Sequence, residues 1–320
     1  MRDFTEIEQV DRLLRKVEDV SRIETVATVR TRDRSFPIHK IVFGTSDKSA
    51  PTFGLFGGVH GLEKIGTHVA LYFLESFAAQ LRWDLELQER LKKCRLVAIP
   101  LVNPGGMCNQ WRSNPQGVDI MRNAPIDALE DPPFLLGGQR ISPLLPWYRG
   151  KAGAPMEIET QALVRTVEEE MFESRASFAL DLHSGFGSVD QLWYPYAKTQ
   201  QPFPRMKEVE RFSEVLNGAY PFHIYKVERQ AYTTHGDVWD YLFDNFEEKS
   251  RGKDKLFLPW TLEMGSWMWV KKKPLQLFSL LGPFNPLEPH RYRRIMRRHY
   301  WLIDFFFRAT ANYQVWREQK

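Results

Sequence analysis

The most informative segment of this chain is residues 51–63, which read PTFGLFGGVHGLE. Its first part, Pro51–Gly58, is a short apolar run closed by two glycines, and this pattern predicts a buried strand that ends in a tight turn. His60 and Glu63 follow within a short loop, where their spacing brings an imidazole and a carboxylate close enough to ligate one ion. The segment therefore predicts a strand that leads into a metal site.

Two later segments show the same pattern of an apolar strand with polar groups at its end. Strand Ser177–Leu182 runs into DLHSG at residues 181–185, and strand Leu256–Met264 runs into TLEMG at residues 261–265. We expect Pro259 to interrupt the second of these strands. In open α/β sheets, the loops at the carboxyl ends of the strands converge on one ligand-binding edge although they lie far apart in sequence.

His60, Glu63 and His183 together supply two imidazoles and one carboxylate. Three such ligands leave a fourth position open for water, which is the pattern of a catalytic zinc site. A further carboxylate is needed to take a proton from that water and pass it on, and Glu263 is the candidate. An H-x-x-E spacing alone arises often by chance, so the prediction rests on three strand ends that carry such groups.

Strands alternate with helices through the middle of the chain, which favours a mostly parallel or mixed sheet with helices on both faces. No linker divides the sequence, so we predict one domain that spans residues 1–320. Residues 125–155 are rich in proline and glycine and lack periodicity. An irregular segment of this length predicts a functional loop or lid, or an element that the pattern does not reveal.

The composition excludes several classes of protein. Of the 320 residues, 43% are hydrophobic and 26% are charged, as in ordinary globular proteins rather than fibres or disordered tails. The 44 Lys and Arg residues against 40 Asp and Glu leave a formal charge of +4, which is too small a surplus for a dedicated nucleic-acid-binding protein. We interpret the basic run from Arg291 to Arg298 as the solvated face of a final helix.

The sequence also predicts compartment and membrane association. No segment approaches the roughly 20 apolar residues of a membrane span. The opening segment is charged from Arg2 onward and lacks the apolar core of a signal peptide. The two cysteines, Cys94 and Cys108, make no disulfide framework. These features predict a cytoplasmic protein without a membrane or nucleic-acid partner, and they leave its oligomeric state open.

Five motifs between residues 53 and 265 occur in the order GGVHGLE, VNPGG, RSNPQGVDIMRN, DLHSG and TLEMG. In this order they resemble the zinc carboxypeptidases of the metallocarboxypeptidase A type. The resemblance implies a three-layer α/β/α sandwich with a mixed, mostly parallel sheet of about eight strands. It also implies one zinc ion bound by His60, Glu63 and His183, with Glu263 as the general base.

The resemblance implies further roles within residues 112–123. Arg112 matches the arginine that polarises the scissile carbonyl, and Asp119 matches an aspartate that orients a ligand histidine from outside the metal sphere. Arg122 matches the arginine that binds the terminal carboxylate of the substrate. The family pairs that arginine with an asparagine, whereas this chain has Met121, so one hydrogen-bond donor is lost.

A later segment, YTTHGDVWD at residues 232–240, resembles the family's mobile tyrosine loop. Tyr232 would close over the substrate. Trp239 falls at the position that sets the family's side-chain pocket, where an indole would make the pocket shallow or reshape it. Met121 and Trp239 thus depart from the family pattern at positions that recognise substrate, not at positions that hydrolyse the bond.

Three functions are consistent with these residues. The first is a zinc carboxypeptidase that acts on a peptide or acyl-amino-acid substrate with a free carboxylate, which Arg122 and Tyr232 favour. The second is an amidohydrolase or deacylase of the same fold that acts on small acyl-amino acids or cell-wall peptides, which Met121 and Trp239 favour. The third is a non-enzymatic binding protein on a peptidase scaffold, and retention of the metal ligands and of Glu263 argues against it.

Overall fold

A computed structural model describes residues 4–31, 33–185 and 187–317. The strands are β1 (Arg22–Arg30), β2 (Ser35–Gly44), β3 (Thr52–Gly57), β4 (Arg95–Ile99), β5 (Ala176–Gly185), β6 (Gln191–Tyr194), β7 (Lys226–Arg229) and β8 (Leu256–Gly265). The helices are α1 (Thr5–Val17), α2 (Lys64–Leu81), α3 (Leu85–Leu91), α4 (Pro104–Asn109), α5 (Ile158–Met171), α6 (Met206–Ala219), α7 (Val238–Lys249), α8 (Trp267–Lys272), α9 (Pro289–Ala311) and α10 (Tyr313–Arg317). Within the described ranges, none of the helices has both the length and the apolar character needed to cross a membrane.

The strands form one eight-stranded sheet in the order β1-β2-β4-β3-β5-β8-β6-β7. Strands β4, β3, β5 and β8 are parallel neighbours in its centre. Strands β1 and β2 add an antiparallel hairpin at one edge, and β6 pairs antiparallel with β8 near the other. This is the predicted α/β architecture with a mixed, mostly parallel sheet. Because the central strands are parallel, the carboxyl ends of β3, β5 and β8 lie at one edge of the sheet.

Helices cover both faces of the sheet, and strand β3 contributes side chains to the packing on each face. Phe53 packs against Phe306 of α9 on one face, with 6.1 Å between the ring centroids. Phe56, three residues on, packs against Trp239 of α7 on the other face at 5.3 Å. Because side chains alternate between the two faces of a strand, a continuous apolar run is what a doubly covered strand requires.

Strand β8 corrects one prediction, because it runs without a break through Pro259. On one side Pro259 lies opposite Ala179 of β5. On the other side β6 pairs only with Thr261 to Glu263 and does not extend as far as the proline. A proline lacks the backbone N–H that a ladder needs, so it is tolerated where one neighbouring strand has already ended.

His299 of α9 is a buried histidine whose environment predicts a pH dependence of stability. Its Nδ1 is hydrogen-bonded to the Tyr225 hydroxyl at 2.9 Å, and burial lowers the pKa of His299 from 6.5 to about 4. The unfolded chain therefore binds a proton near pH 6.5 that the folded chain excludes until about pH 4, so stability falls as the pH drops through this window. This group should lower the free energy of unfolding by about 2 kcal/mol between pH 7 and pH 5.

Urea unfolding at the two pH values, with a chelator present so that metal release does not contribute, measures this loss. A His299→Asn variant is the control, because an amide can still form a hydrogen bond with Tyr225 but does not titrate. The variant should lose less stability than the parent between pH 7 and pH 5. Equal losses in the two proteins would assign the pH dependence to other groups.

Candidate active site

His60, Glu63 and His183 converge at the carboxyl edge of the central strands. His60 and Glu63 lie in the loop between β3 and α2, and His183 lies near the end of β5. The Nδ1 atoms of the two histidines are 3.1 Å apart. Glu63 Oε1 is 3.1 Å from His60 Nδ1, and Glu63 Oε2 is 3.1 Å from His183 Nδ1. The predicted ligand set is therefore assembled by the fold, with all three side chains buried.

The loop that carries His60 depends on glycine. Gly58 has φ +66°, a left-handed conformation, and a Cβ there would lie 2.4 Å from the hydroxyl oxygen of Thr67. The turn is further held by the loop that follows β4, because the backbone N–H of Val102 donates to the carbonyl of Gly57 at 3.0 Å. Glycine thus allows the chain to leave β3 sharply and to place His60 over the sheet edge.

A carboxylate binds the other nitrogen of each imidazole ring. Asp119 Oδ1 is 3.1 Å from His60 Nε2, and Asp181 Oδ2 is 2.8 Å from His183 Nε2. With each Nε2 engaged in this way, both Nδ1 atoms are left to face the same point beside Glu63. Carboxylates in this position fix the ring orientation and raise the basicity of a metal-ligating histidine. The resemblance implies this role for Asp119, whereas the sequence leaves Asp181 open between orienting a ligand and capping the strand end.

Trp239 does not line a substrate pocket, although the resemblance predicts that it does. It is 3% exposed, and its indole Nε1 donates to Asp181 Oδ2 at 2.9 Å. It is not among the described residues that line the cleft. The side chain therefore lies beneath the metal ligands and bonds the carboxylate that holds His183. The reason is the orientation of α7, which turns this residue toward Phe56 and the sheet.

The geometry of the ligand atoms fits a zinc ion. In a tetrahedral site with ligand distances of about 2.0–2.1 Å, two ligand atoms lie roughly 3.4 Å apart. The two histidine nitrogens are 3.1 Å apart, and each is 3.1 Å from a Glu63 oxygen. Two imidazoles and one carboxylate are a donor set that zinc binds in catalytic sites, with one position left for water.

The charges of the ligands are strongly coupled. Burial alone would raise the pKa of Glu63, but His60 and His183 hold it well below its usual value. Burial alone would lower the pKa of His183, but the adjacent Asp181 and Glu63 carboxylates raise it well above 6.5. Metal ligation requires a neutral imidazole, so a metal bound here would compete with protons for His183.

Glu263 of β8 stands directly opposite His183 in the parallel ladder and lines the same cleft. Burial raises its pKa to about 8, and the nearby Glu63 carboxylate acts in the same direction. Gly185 makes room for it, because a Cβ at that position would lie 2.3 Å from Glu263 Oε1. A carboxyl group with a pKa close to neutrality can both accept and return a proton, as general acid–base chemistry requires.

Two arginines face the cleft from the loop that follows α4. Arg112 donates to Glu63 Oε1 and to Asp119 Oδ2, both at 3.1 Å, and its side chain is 28% exposed. Arg122 Nε donates to the carbonyl of Leu136 at 3.2 Å, and its Nη1 lies 3.6 Å from Asp119 Oδ2. Both guanidinium groups are thus fixed by acceptors on one side and reach the cleft on the other.

The cleft has a volume of about 360 Å³ and brings most of the predicted site residues together. Its floor holds the three candidate metal ligands. The other predicted residues that line it are Arg112, Arg122, Tyr232 and Glu263. Met121 also lines the cleft beside Arg122, and its thioether replaces the amide that the family places there. The departure at Met121 is therefore located in the substrate cavity, in contrast to the departure at Trp239.

Residues 125–155 form no helix or strand, and part of this segment builds one wall of the cleft through Leu136 and Trp147. The buried side chain of Gln139 holds the segment together. Its amide nitrogen donates to the carbonyls of Ser142 and Leu145 at 2.8 and 3.1 Å. This side chain thus adds to the backbone hydrogen bonds that the segment forms within itself, such as the one from the Gln139 N–H to the carbonyl of Trp147 at 2.9 Å.

Comparisons with known proteins agree with this geometry. The sequence model of one protein family, described as zinc carboxypeptidase, matches residues 10–255. Thrombin activatable fibrinolysis inhibitor is similar in structure, with a TM-score of 0.70 at 14% identity over 97% of this chain and 74% of that chain. The bovine form of that protein, in complex with a tick carboxypeptidase inhibitor, has a TM-score of 0.66 at 15% identity over 98% and 97%. Carboxypeptidase A from Helicoverpa armigera has a TM-score of 0.64 at 16% identity over 95% and 71%.

Proposed function

Because the chain belongs to the zinc carboxypeptidase family, we propose that it is a zinc-dependent carboxypeptidase that releases the C-terminal residue of a peptide. The observation that carries the proposal is the convergence of His60, Glu63 and His183 with Glu263 in one cleft. A bound zinc ion would polarise the scissile carbonyl and lower the pKa of water. This donor set supports zinc as the cofactor, with one ion per chain.

Glu263 acts on protons at both stages of the proposed reaction. Its carboxylate takes a proton from the attacking water and then delivers it to the nitrogen of the leaving amine. Burial supports this role, because a carboxylate in a water-poor cleft is a stronger base than one in bulk water. Arg112 is held beside the metal ligands by Glu63 and Asp119, and its guanidinium stabilises the negative charge that develops on the carbonyl oxygen.

Arg122 binds the terminal carboxylate of the substrate in this proposal. Its side chain is fixed by the carbonyl of Leu136, so little conformational entropy is lost on binding. Tyr232 lines the same cleft and covers the bound residue. With Met121 in place of an asparagine, the carboxylate loses one donor, and Arg122 becomes the main source of recognition.

A second candidate function is hydrolysis of small acyl-amino acids by the same chemistry. Met121 favours it, because an apolar side chain beside Arg122 suits an acyl group better than a peptide backbone, which carries polar groups that need partners. Both functions use the same metal ligands and the same base, and they differ only in the substrate that fills the cleft.

Mass spectrometry of a mixed library separates the two functions. The zinc-loaded protein is incubated with peptides that have free C-termini, with the same peptides amidated, and with small acyl-amino acids. Loss of single residues from free C-termini alone supports the carboxypeptidase. Cleavage confined to acyl-amino acids supports the second function. If no substrate is cleaved at a rate above that of a chelator-treated control, the chain is not a hydrolase of either class.

An Arg122→Ala variant should raise KM for peptides with a free C-terminus by about tenfold or more, because a charge-assisted bond to the carboxylate is worth about 1.5–3 kcal/mol. Peptide amides, which carry no such charge, should be affected less. Steady-state kinetics on matched free and amidated peptides measures the difference. Equal changes in KM for the two sets would contradict the carboxylate-binding role.

A further inference from the structure

A second cavity, of about 320 Å³, lies beside the cleft between the end of β8 and the helices α8 and α9. The two cavities share a wall. Gly187 and Glu263 line the cleft, whereas Val189 and Gly265, two residues further along each segment, line the second cavity. These segments touch, because a Cβ on Gly265 would lie 2.6 Å from the carbonyl oxygen of Val189. The second cavity therefore lies directly beside the cleft.

The titratable side chains that line the second cavity are mostly basic. The basic side chains are Lys272, His290, Arg291, Arg294 and Arg298. The lining includes one carboxylate, Asp190, which is already engaged. The backbone N–H of Gly265 donates to its Oδ1 at 3.0 Å, and Arg298 donates to its Oδ2 at 3.2 Å. The cavity therefore has an excess of positive charge that its own acidic residue does not neutralise.

The remaining charges are available to a ligand. Lys272 and Arg294 are exposed, and neither forms an ion pair with any residue in the described ranges. Arg291 is oriented by a hydrogen bond from its Nη1 to the carbonyl of Trp269 at 2.9 Å. The first turn of α9 contains no acidic residue, but Glu288 precedes it at the N-cap. Its hydrogen bond to Lys273 and the nearby charges of Arg291 and His290 lower the pKa of this carboxyl group, so it already interacts with the cations at this helix end. Lys272 and Arg294 are therefore the cations of the lining that remain for a bound anion.

The lining also contains apolar side chains, namely Val189, Ile224, Met268, Trp269 and Ile295. Helices α8 and α9 each contribute both kinds of side chain, because Met268 and Lys272 are four residues apart on α8 and Arg291 and Ile295 are four residues apart on α9. A site that places cations beside aliphatic and aromatic side chains matches an anion that also carries an apolar part. An inorganic anion would use only the cations.

We propose that this cavity binds a carboxylate attached to an apolar group. Two sources share that chemistry. The first is an acidic residue with an apolar neighbour in a peptide substrate that extends from the cleft, and this source rests on the proposed function. The second is a small free organic acid, and this source does not rest on the proposed function. In both cases Lys272 and Arg294 bind the carboxylate while Trp269 and Ile295 contact the apolar part.

Fluorescence anisotropy tests the proposal with a dye-labelled peptide amide of sequence Leu-Glu-Leu-Glu, which has no free C-terminus for Arg122 to bind. The same peptide with glutamine in place of glutamate is the ligand control. A Lys272→Gln, Arg294→Gln double variant should weaken binding of the acidic peptide by about tenfold, the combined value of two partly exposed charge interactions. Octanoate, added as a competitor, probes the small-acid source.

The control variant is Arg293→Gln with Arg297→Gln, because both side chains are exposed on α9 and lie outside the cavity lining. It removes the same charge and should change the affinity less than about twofold. A loss of affinity for the acidic peptide in the Lys272→Gln, Arg294→Gln variant alone supports the proposal. Equal loss in both double variants, or equal binding of the glutamine peptide, would overturn it.

The remaining outcomes separate the two sources and separate this proposal from the proposed function. Binding of the acidic peptide supports the substrate source, and displacement of the peptide by octanoate places both ligands in one site. Octanoate binding without peptide binding, measured by calorimetry and lost in the first double variant, assigns the cavity to a small acid. If neither ligand binds, the proposal is wrong. Because the peptide amide need not be cleaved, selective binding by a protein that hydrolyses nothing would sustain this proposal while removing the proposed function.

Discussion

A Glu263→Gln variant is expected to retain zinc and to lose about two to four orders of magnitude in kcat, the usual contribution of a positioned general base. The amide has nearly the shape of the carboxyl group, so the cleft and the ligands His60, Glu63 and His183 should keep their arrangement. What is lost is the ability to accept a proton at Oε1 or Oε2. The effect should therefore appear in kcat rather than in KM.

Two measurements on the same sample test this prediction. Turnover is followed on the best substrate from the library, and the zinc content is determined by native mass spectrometry. A Glu75→Gln variant controls for a similar change outside the cleft. A loss of turnover smaller than tenfold, or a loss of zinc that parallels the loss of turnover, would remove Glu263 from its proposed role.

An Asp181→Asn variant should weaken zinc binding by about 10- to 100-fold, the usual effect of removing a carboxylate that supports a ligand histidine. The substitution preserves the size of the side chain and leaves one oxygen to accept from His183. It removes the negative charge that raises the pKa of this histidine. A less basic imidazole is a weaker ligand for the metal, although no ligand atom has been changed.

Competition with a fluorescent chelator measures the zinc dissociation constant. Asp119→Asn is the matched substitution, because Asp119 supports His60 as Asp181 supports His183. It should weaken zinc binding by a similar factor. Trp239→Phe retains packing against Phe56 but removes the indole donor to Asp181. This variant should therefore weaken zinc binding less than Asp181→Asn does. An unchanged dissociation constant in Asp181→Asn would show that the carboxylate serves only the fold.

The sequence pattern was sufficient to predict which residues meet in the cleft where that pattern coincided with a strand end. His60, His183 and Glu263 each follow or terminate an apolar run, and parallel strands bring their carboxyl ends to one edge. The motif order supplied what the pattern lacked, namely that Arg112 and Arg122 reach the same cleft from a distant loop. The path of residues 125–155 was not predictable, because neither its backbone hydrogen bonds nor those of the Gln139 side chain follow a periodic pattern.

Three other features differ in how far the sequence could predict them. Asp181 carried a usable signal, because residues two apart on a strand share a face, and Asp181 and His183 are so placed. The sequence contains no such signal for Trp239, because the resemblance predicts its position in a motif but not the face of α7 on which it lies. Strand β6 is only four residues long, which is too short for a periodic pattern to identify it.

The hydrogen bonds from Asp119 and Asp181 involve the histidine nitrogens that point away from the metal position. They do not depend on zinc, so the entropy of aligning the two imidazoles is lost during folding rather than during metal capture. If the site holds zinc as proposed, a chain built in this way can be emptied by a chelator and reloaded without refolding. The proposed activity would then follow the supply of zinc, and a population of intact, inactive molecules could respond to a rise in the metal within the time that diffusion allows.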